Sequence, residues 1–426
     1  MGESDAMPNW RWAVVTVIVG LVCAPVCAQS AAECNTEGVA LYKAGRWLEA
    51  VEFFVKAYEM APDNTTVRRN LCNAYQAYAN ALAKEGNAFR DAIAVLENAI
   101  GIDPENPSPL VQLGSYHLRL DEAQDAVFRL EEAVELDPKS VDAQDLLGEA
   151  YYKIGDLDAA LTRWEWVAEA EPERPGLKKK LDKAYREEEE EYDFNATASR
   201  HFHVSYDRGA TGGDLSKVLT TCERAYREIG RRLGNVYPPG PIQVVLYTAE
   251  GFERVTQLGE HVGAIYDGRI KVPIKDKAGN SMSLDELERR LYHEYTHVVV
   301  WYWVSDNIPW WLNEGLAETF SRPDLSDREK EVLARAYQTD TLFPLADLAD
   351  TQLENLTPDQ LRQGYIQSHA TVRYMWNRFG LRSLTIMMNA LAQAESHEDA
   401  LVRGYRLNYD YLQKSMASSY AHLASR

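Results

Sequence analysis

An apolar rhythm of helical period runs from Leu284 to Val304, a stretch without Gly or Pro. Leu284, Leu287, Leu291, Val298 and Trp301 recur in it at intervals of three, four or seven, the spacing of one helix face. Ser283 stands before the run with Glu286 three positions on. That pair predicts a capping box, the Ser283 hydroxyl accepting from the Glu286 amide while the Glu286 carboxylate reaches back. Asp306-Asn-Ile-Pro309 then breaks the helix and lets a second begin at Trp310. Upstream, His201–Tyr206 and Pro241–Tyr247 read as strands around a helix over Leu215–Leu233. His201 and His203 alternate there with apolar residues, as strand-face positions rather than ligands do. Beyond Pro323 the pattern is helical to Tyr420.

Residues 31–172 carry a repeat. Pro104, Pro138 and Pro172 stand 34 residues apart. Gly38, Gly114 and Gly148 share one equivalent position, and Ala50, Ala92, Ala126 and Ala160 another. These small residues let paired helices cross closely, while Leu41, Trp47 and Phe54 fill between them. The unit from Pro62 to Pro104 has 42 residues, so its extra ones around Ala77–Asn87 predict a lengthened helix. The pattern resembles tetratricopeptide repeats, which stack into a continuous core and offer a concave face to a peptide or protein. Lys178–Lys180, Arg186 and Glu187–Glu191 follow as a charged helix, read as a solvated cap and linker.

The first 28 residues read as a secretory signal. Arg11 precedes an apolar run from Trp12 to Val22, and Val26-Cys-Ala28 supplies small residues for cleavage before Gln29; Met7 is an alternative start. The run is too short for a membrane span, so an exported protein, periplasmic or secreted, is expected, with no span after signal removal. Past the signal only Cys34, Cys72 and Cys222 remain, too few for a disulfide scaffold. Cys34 and Cys72 fall on neighbouring helices, as a bridge or as buried free thiols. A net charge of −20 excludes nucleic-acid binding through a basic face and adhesion to anionic membranes.

The chemistry lies in His293-Glu-Tyr-Thr-His297. Two imidazoles four positions apart on a helix differ by only about 40° in direction, so both can hold one metal ion. Glu294 between them can take a proton from water. Neutral imidazoles suit Zn²⁺, and three protein ligands with one open position make a catalytic site. Trp310-Trp-Leu-Asn-Glu-Gly-Leu-Ala-Glu318 offers the third ligand. Glu314 is assigned to the metal and Glu318, one turn on, to a ligand histidine's other ring nitrogen. Gly315 is expected to let this helix approach the first.

These two segments resemble the gluzincins, the metallopeptidase clan of thermolysin-like enzymes and zinc aminopeptidases. In particular they resemble compact peptidase MA-like domains attached to repeats in bacterial envelope proteins. The resemblance implies Glu294 as general base and His293, His297 and Glu314 as zinc ligands. Gly364-Tyr-Ile-Gln-Ser-His369 is similar to an aminopeptidase segment whose tyrosine stabilises the oxyanion; that residue is Tyr365, with His369 as rival. The strand whose glutamate clamps a substrate α-amine is represented by Val262–Ile270, with Tyr266 and Asp267 where the acid would fall. An endopeptidase is therefore favoured over an aminopeptidase, its extended substrate pairing with that strand.

The expected fold is α+β: an all-α tetratricopeptide-repeat solenoid with its capping helix over 31–190, then a zincin-like domain over 195–426 with a small sheet and a helical C-terminal part. The expected function is hydrolysis of peptide bonds in a protein or peptide substrate, with the repeats recruiting substrate or an adaptor protein. The alternative is an exported scaffold for protein–protein interaction with a non-catalytic metal site.

Overall fold

The computed structural model describes residues 29–86, 88–207, 215–258, 264–322, 324–349 and 356–424. The signal expected at 1–28 lies outside the described residues.

The N-terminal part is a stack of helix pairs: α1 (Ala31–Lys43) with α2 (Trp47–Met60), α3 (Thr65–Gly86) with α4 (Phe89–Ile102). Next come α5 (Pro107–Arg119) with α6 (Ala123–Leu136), and α7 (Val141–Ile154) with α8 (Leu157–Ala170). The 22 residues of α3 absorb the long unit, against 13 in α5. Three of the four pairs close on a glycine: a Cβ on Gly38 would fall 2.8 Å from the Phe54 ring, one on Gly148 2.6 Å from the Trp164 indole, and one on Gly114 2.4 Å from Leu130. No larger residue fits without moving a buried partner. Cys34 and Cys72 are buried free thiols, and Cys72 Sγ accepts from Asn106 at 3.3 Å.

A five-stranded sheet follows in the order β1-β2-β3-β5-β4, built from β1 (Asn195–Ala198), β2 (Phe202–Tyr206), β3 (Ile242–Tyr247), β4 (Ile265–Tyr266) and β5 (Ile270–Pro273). The three inner strands are parallel and both edges antiparallel. The β2–β3 crossover carries α10 (Leu215–Arg232), as the alternation predicts. All six residues of β3 are buried, so both faces of the sheet are covered. Val244 and Leu246 face a core shared with α10, α12 (Leu284–Val304) and α13 (Trp310–Ser321). Val245 and Tyr247 face the other side, with Phe252 and Val255 of α11 (Ala249–Thr256). The chain continues through α14 (Asp327–Gln338), α15 (Leu345–Ala349), α16 (Pro358–Ala392, kinked at Gly380), α17 (His397–Tyr405) and α18 (Tyr409–Ala424). No described helix is long and apolar enough to cross a membrane.

Three local expectations are corrected. Ser283 caps α12, accepting from the Glu286 amide at 3.2 Å, but the Glu286 carboxylate turns to Arg289 and Arg290 and leaves the box half-made. Gly315 makes room for α16 rather than α12: a Cβ there would sit 2.5 Å from the Ser368 carbonyl oxygen. The charged helix α9 (Leu177–Glu191) is not merely solvated. Its Glu187 is 0% exposed and pairs with Lys271 of β5 and with Arg269 just before it.

Candidate metal centre

Residues on two adjacent helices converge. His293 and His297 project from one face of α12, their rings nearly perpendicular at 79° and 4.9 Å between centroids. From α13, Glu314 Oε2 reaches to 3.5 Å from His293 Nε2 and 3.6 Å from His297 Nε2. Three ligands about 2.1 Å from a tetrahedral ion stand about 3.4 Å from one another, so this spacing suits a zinc-sized cation. Glu314 Oε2 is also buried without a hydrogen-bond partner, a costly state that a cation relieves. The three side chains form a possible metal site. His117, Glu122 and Asp125 of the repeats have similar spacing, but Arg90 already holds the Glu122 carboxylate at 2.7 Å.

Burial alone would raise the Glu314 carboxyl, yet the two imidazoles hold it down at about 2. Burial would likewise lower His297, but Glu314, with Glu294 and the Asn313 hydrogen bond adding to it, raises it to about 9. Glu294 is buried beside them, and its carboxyl is raised by that burial, with the histidines opposing. All four groups line a cleft of about 620 Å³. Ile265 and Tyr266 of β4 form one wall, and Trp301, Ile308 and Leu361 close it elsewhere.

The outer contacts are partly as expected. Glu318 Oε1 stands 3.6 Å from His293 Nδ1, and its carboxylate is held by Arg322. A contact that motif reading did not single out is Asn313 Oδ1, which accepts from His297 Nδ1 at 2.9 Å. It fixes the ring so that Nε2 faces Glu314; its signal was its place immediately before the ligand glutamate. Tyr365 of α16 lines the same cleft, with Trp310 packed edge-on at 5.2 Å. Burial and the three nearby glutamates raise its phenol far above the ordinary range, so it keeps its proton. His369 is 0% exposed and absent from the cleft lining. His201 binds Glu223 of α10 and His203 binds Gln243 of β3, both apart from the cleft.

Residues 279–421 match the Peptidase MA superfamily model, and residues 111–176 a tetratricopeptide repeat model. The chain is a tetratricopeptide-repeat array followed by a peptidase MA-like domain. No curated protein matches it. Among solved structures it is similar to the first tetratricopeptide-repeat domain of Spaghetti (RPAP3) bound to an HSP90 peptide, at 23% identity over 27% of this chain and 91% of that one, with a TM-score of 0.27. It is also similar to MamA, at 23% identity over 36% and 84% of the two chains (TM-score 0.30). A third is YrrB, a repeat protein with an unusual peptide-binding site, at 22% over 38% and 78% (TM-score 0.31). In the peptidase MA-like domain, α12, α13 and α16 carry His293, Glu294, His297, Glu314 and Tyr365 to the lining of one cleft.

Proposed function

We propose that this chain is an exported zinc-dependent peptidase that hydrolyses internal peptide bonds, and that its repeats engage the protein substrate or an adaptor. The observation that carries the reading is the convergence of His293, His297 and Glu314 beside a buried Glu294, in a cleft with room for an extended chain. Export is supported by Arg11 and the apolar run that follows it.

His293, His297 and Glu314 would hold the ion. When bound, zinc supplies Lewis acidity, which makes water nucleophilic near neutral pH and polarises a carbonyl. Glu294 is the base: its raised carboxyl accepts a proton from the attacking water and passes it to the departing amine nitrogen. Tyr365, which keeps its hydroxyl proton, donates to the carbonyl oxygen as negative charge develops there. Glu318 and Asn313 orient the imidazoles. The preference for internal bonds is supported by Asp267, which stands where an α-amine clamp would fall. Its carboxylate is engaged 2.8 Å from both Lys183 and Lys271, so it has no free charge to offer a substrate amine.

Elemental analysis of the full-length protein tests the ligand set. About one zinc per chain is expected, kept in Glu294→Gln and lost in Glu314→Ala. Zinc bound equally by parent and Glu314→Ala would refute it.

A further inference from the structure

The repeats and the cleft are joined by a closed set of charges. Glu187 and Glu191 of α9 meet Arg269, the residue before β5, through its two terminal guanidinium nitrogens. Lys271, two residues on and on the same strand face, donates to Glu187 at 2.7 Å and to Asp267 at 2.8 Å. Lys183 of α9 reaches Asp267 as well, at 2.8 Å. Three carboxylates thus face three cations. Tyr152 of α7, in the last repeat pair, donates to both Glu187 oxygens at 2.9 Å and lies 3.3 Å from Lys271. Arg269 and Lys271 are 1% and 0% exposed. Surface pairs elsewhere on this boundary, such as Arg119 with Asp306 at 3.3 Å, are half-exposed and fix little.

What this set holds is the cleft wall. Strand β4 is two residues long, and β5 is its one hydrogen-bonded neighbour among the described residues. So short a ladder cannot fix a strand by itself. Its position depends on the turn Asp267-Gly268-Arg269, where Gly268 takes φ 102°. Both charged residues of that turn are anchored on α9. Tyr266, beside them, faces two ways: it lines the cleft with Glu294 and a smaller cavity with Asp121, Glu122 and Lys153 of the repeats.

We infer that Glu187 and Tyr152 are positioning residues of the cleft: the repeat array sets where β4 lies, and so how an extended chain binds along it. The array is then a fixed part of substrate binding rather than a module on a loose tether. The kinetic arm of the test rests on the peptidase reading; the exchange arm does not.

Two full-length variants test it, Tyr152→Phe and Glu187→Gln. The first removes one hydroxyl and keeps the ring that Lys183 covers at 4.7 Å. Backbone-amide hydrogen exchange over residues 264–272 should speed up about tenfold in both, with α5 and α6 unchanged. With quenched-fluorescent casein as probe, KM should rise about fivefold while kcat stays within about twofold, because binding shared by ground and transition states is weakened. Parental exchange rates in the hairpin overturn the inference whether or not casein is cut. Faster exchange with unchanged KM, or a loss confined to kcat, overturns it too. Should the parent cut nothing, the peptidase reading suffers and exchange alone decides the positioning role. If Glu187→Gln does not fold, Tyr152→Phe carries the test.

Discussion

Adding a single methyl group at Gly315 tests the packing that brings Glu314 and Tyr365 to one cleft. A Cβ there would stand 2.5 Å from the Ser368 carbonyl oxygen, where ordinary contact begins at 3.4 Å. Relief requires about 0.9 Å of separation between α13 and α16, since the obstructing atom is backbone and cannot rotate away. Overpacking of this kind costs about 2–3 kcal/mol, which lowers the melting midpoint of a domain this size by roughly 5–10 °C. Because Glu314 precedes the substituted position and Tyr365 rides on α16, cleavage should fall about 100-fold, the usual consequence of a misplacement near 1 Å. Tryptophan fluorescence follows the melting, with Trp310 and Trp311 in the affected helix. Gly101→Ala is the control: nothing lies within 4 Å of its Cβ, so it should leave the midpoint unchanged or raise it slightly. If Gly315→Ala melts within about 1 °C of the parent, the close approach of the two helices is wrong.

Asn313→Ala removes the acceptor for His297 Nδ1 and should weaken zinc binding about 10- to 100-fold in a chelator competition; unchanged affinity would show that the contact orients nothing. Burial, with Arg322 and Arg373 adding to it, lowers His369 from 6.5 to about 4, so the folded chain carries it neutral. The stability this supplies is whole above pH 6.5 and drains away as pH falls towards 4, by up to about 3 kcal/mol. Urea midpoints across that window should slope less in His369→Phe, and equal slopes would refute the assignment. An isolated 195–426 fragment uncovers the sheet face that α9 packs against, beside Val245 and Tyr247. It should therefore self-associate in sedimentation analysis, whereas a monomer with native melting would mean that the array is dispensable for folding.

The two helices of the candidate metal centre were legible because their signals are local. The apolar period and the Ser283 cap delimit α12, and His-Glu-Tyr-Thr-His fixes which of its faces carries chemistry. Contacts between segments distant in the chain were not legible. Gly315 announces a close approach, but the partner that arrives, Ser368, lies on a helix assembled elsewhere. The charged run of α9 has the composition of a solvated helix. Only Arg269 and Lys271, about 80 residues later, turn Glu187 into a buried ion pair. Glu286 could serve either the cap or the arginines, and the bidentate arginine geometry wins. Asn313 was readable as part of a motif, but its role became visible only when the two helices were set side by side.

The most direct test of the central claim is mass-spectrometric mapping of new peptide ends in a protein mixture treated with full-length parent or with Glu294→Gln, both carrying equal zinc. The account predicts new internal ends with the parent, also when substrate N-termini are blocked beforehand, and their near-complete loss in the variant. Equal sets of ends from the two proteins, or no new ends from the zinc-loaded parent against any mixture, would contradict it.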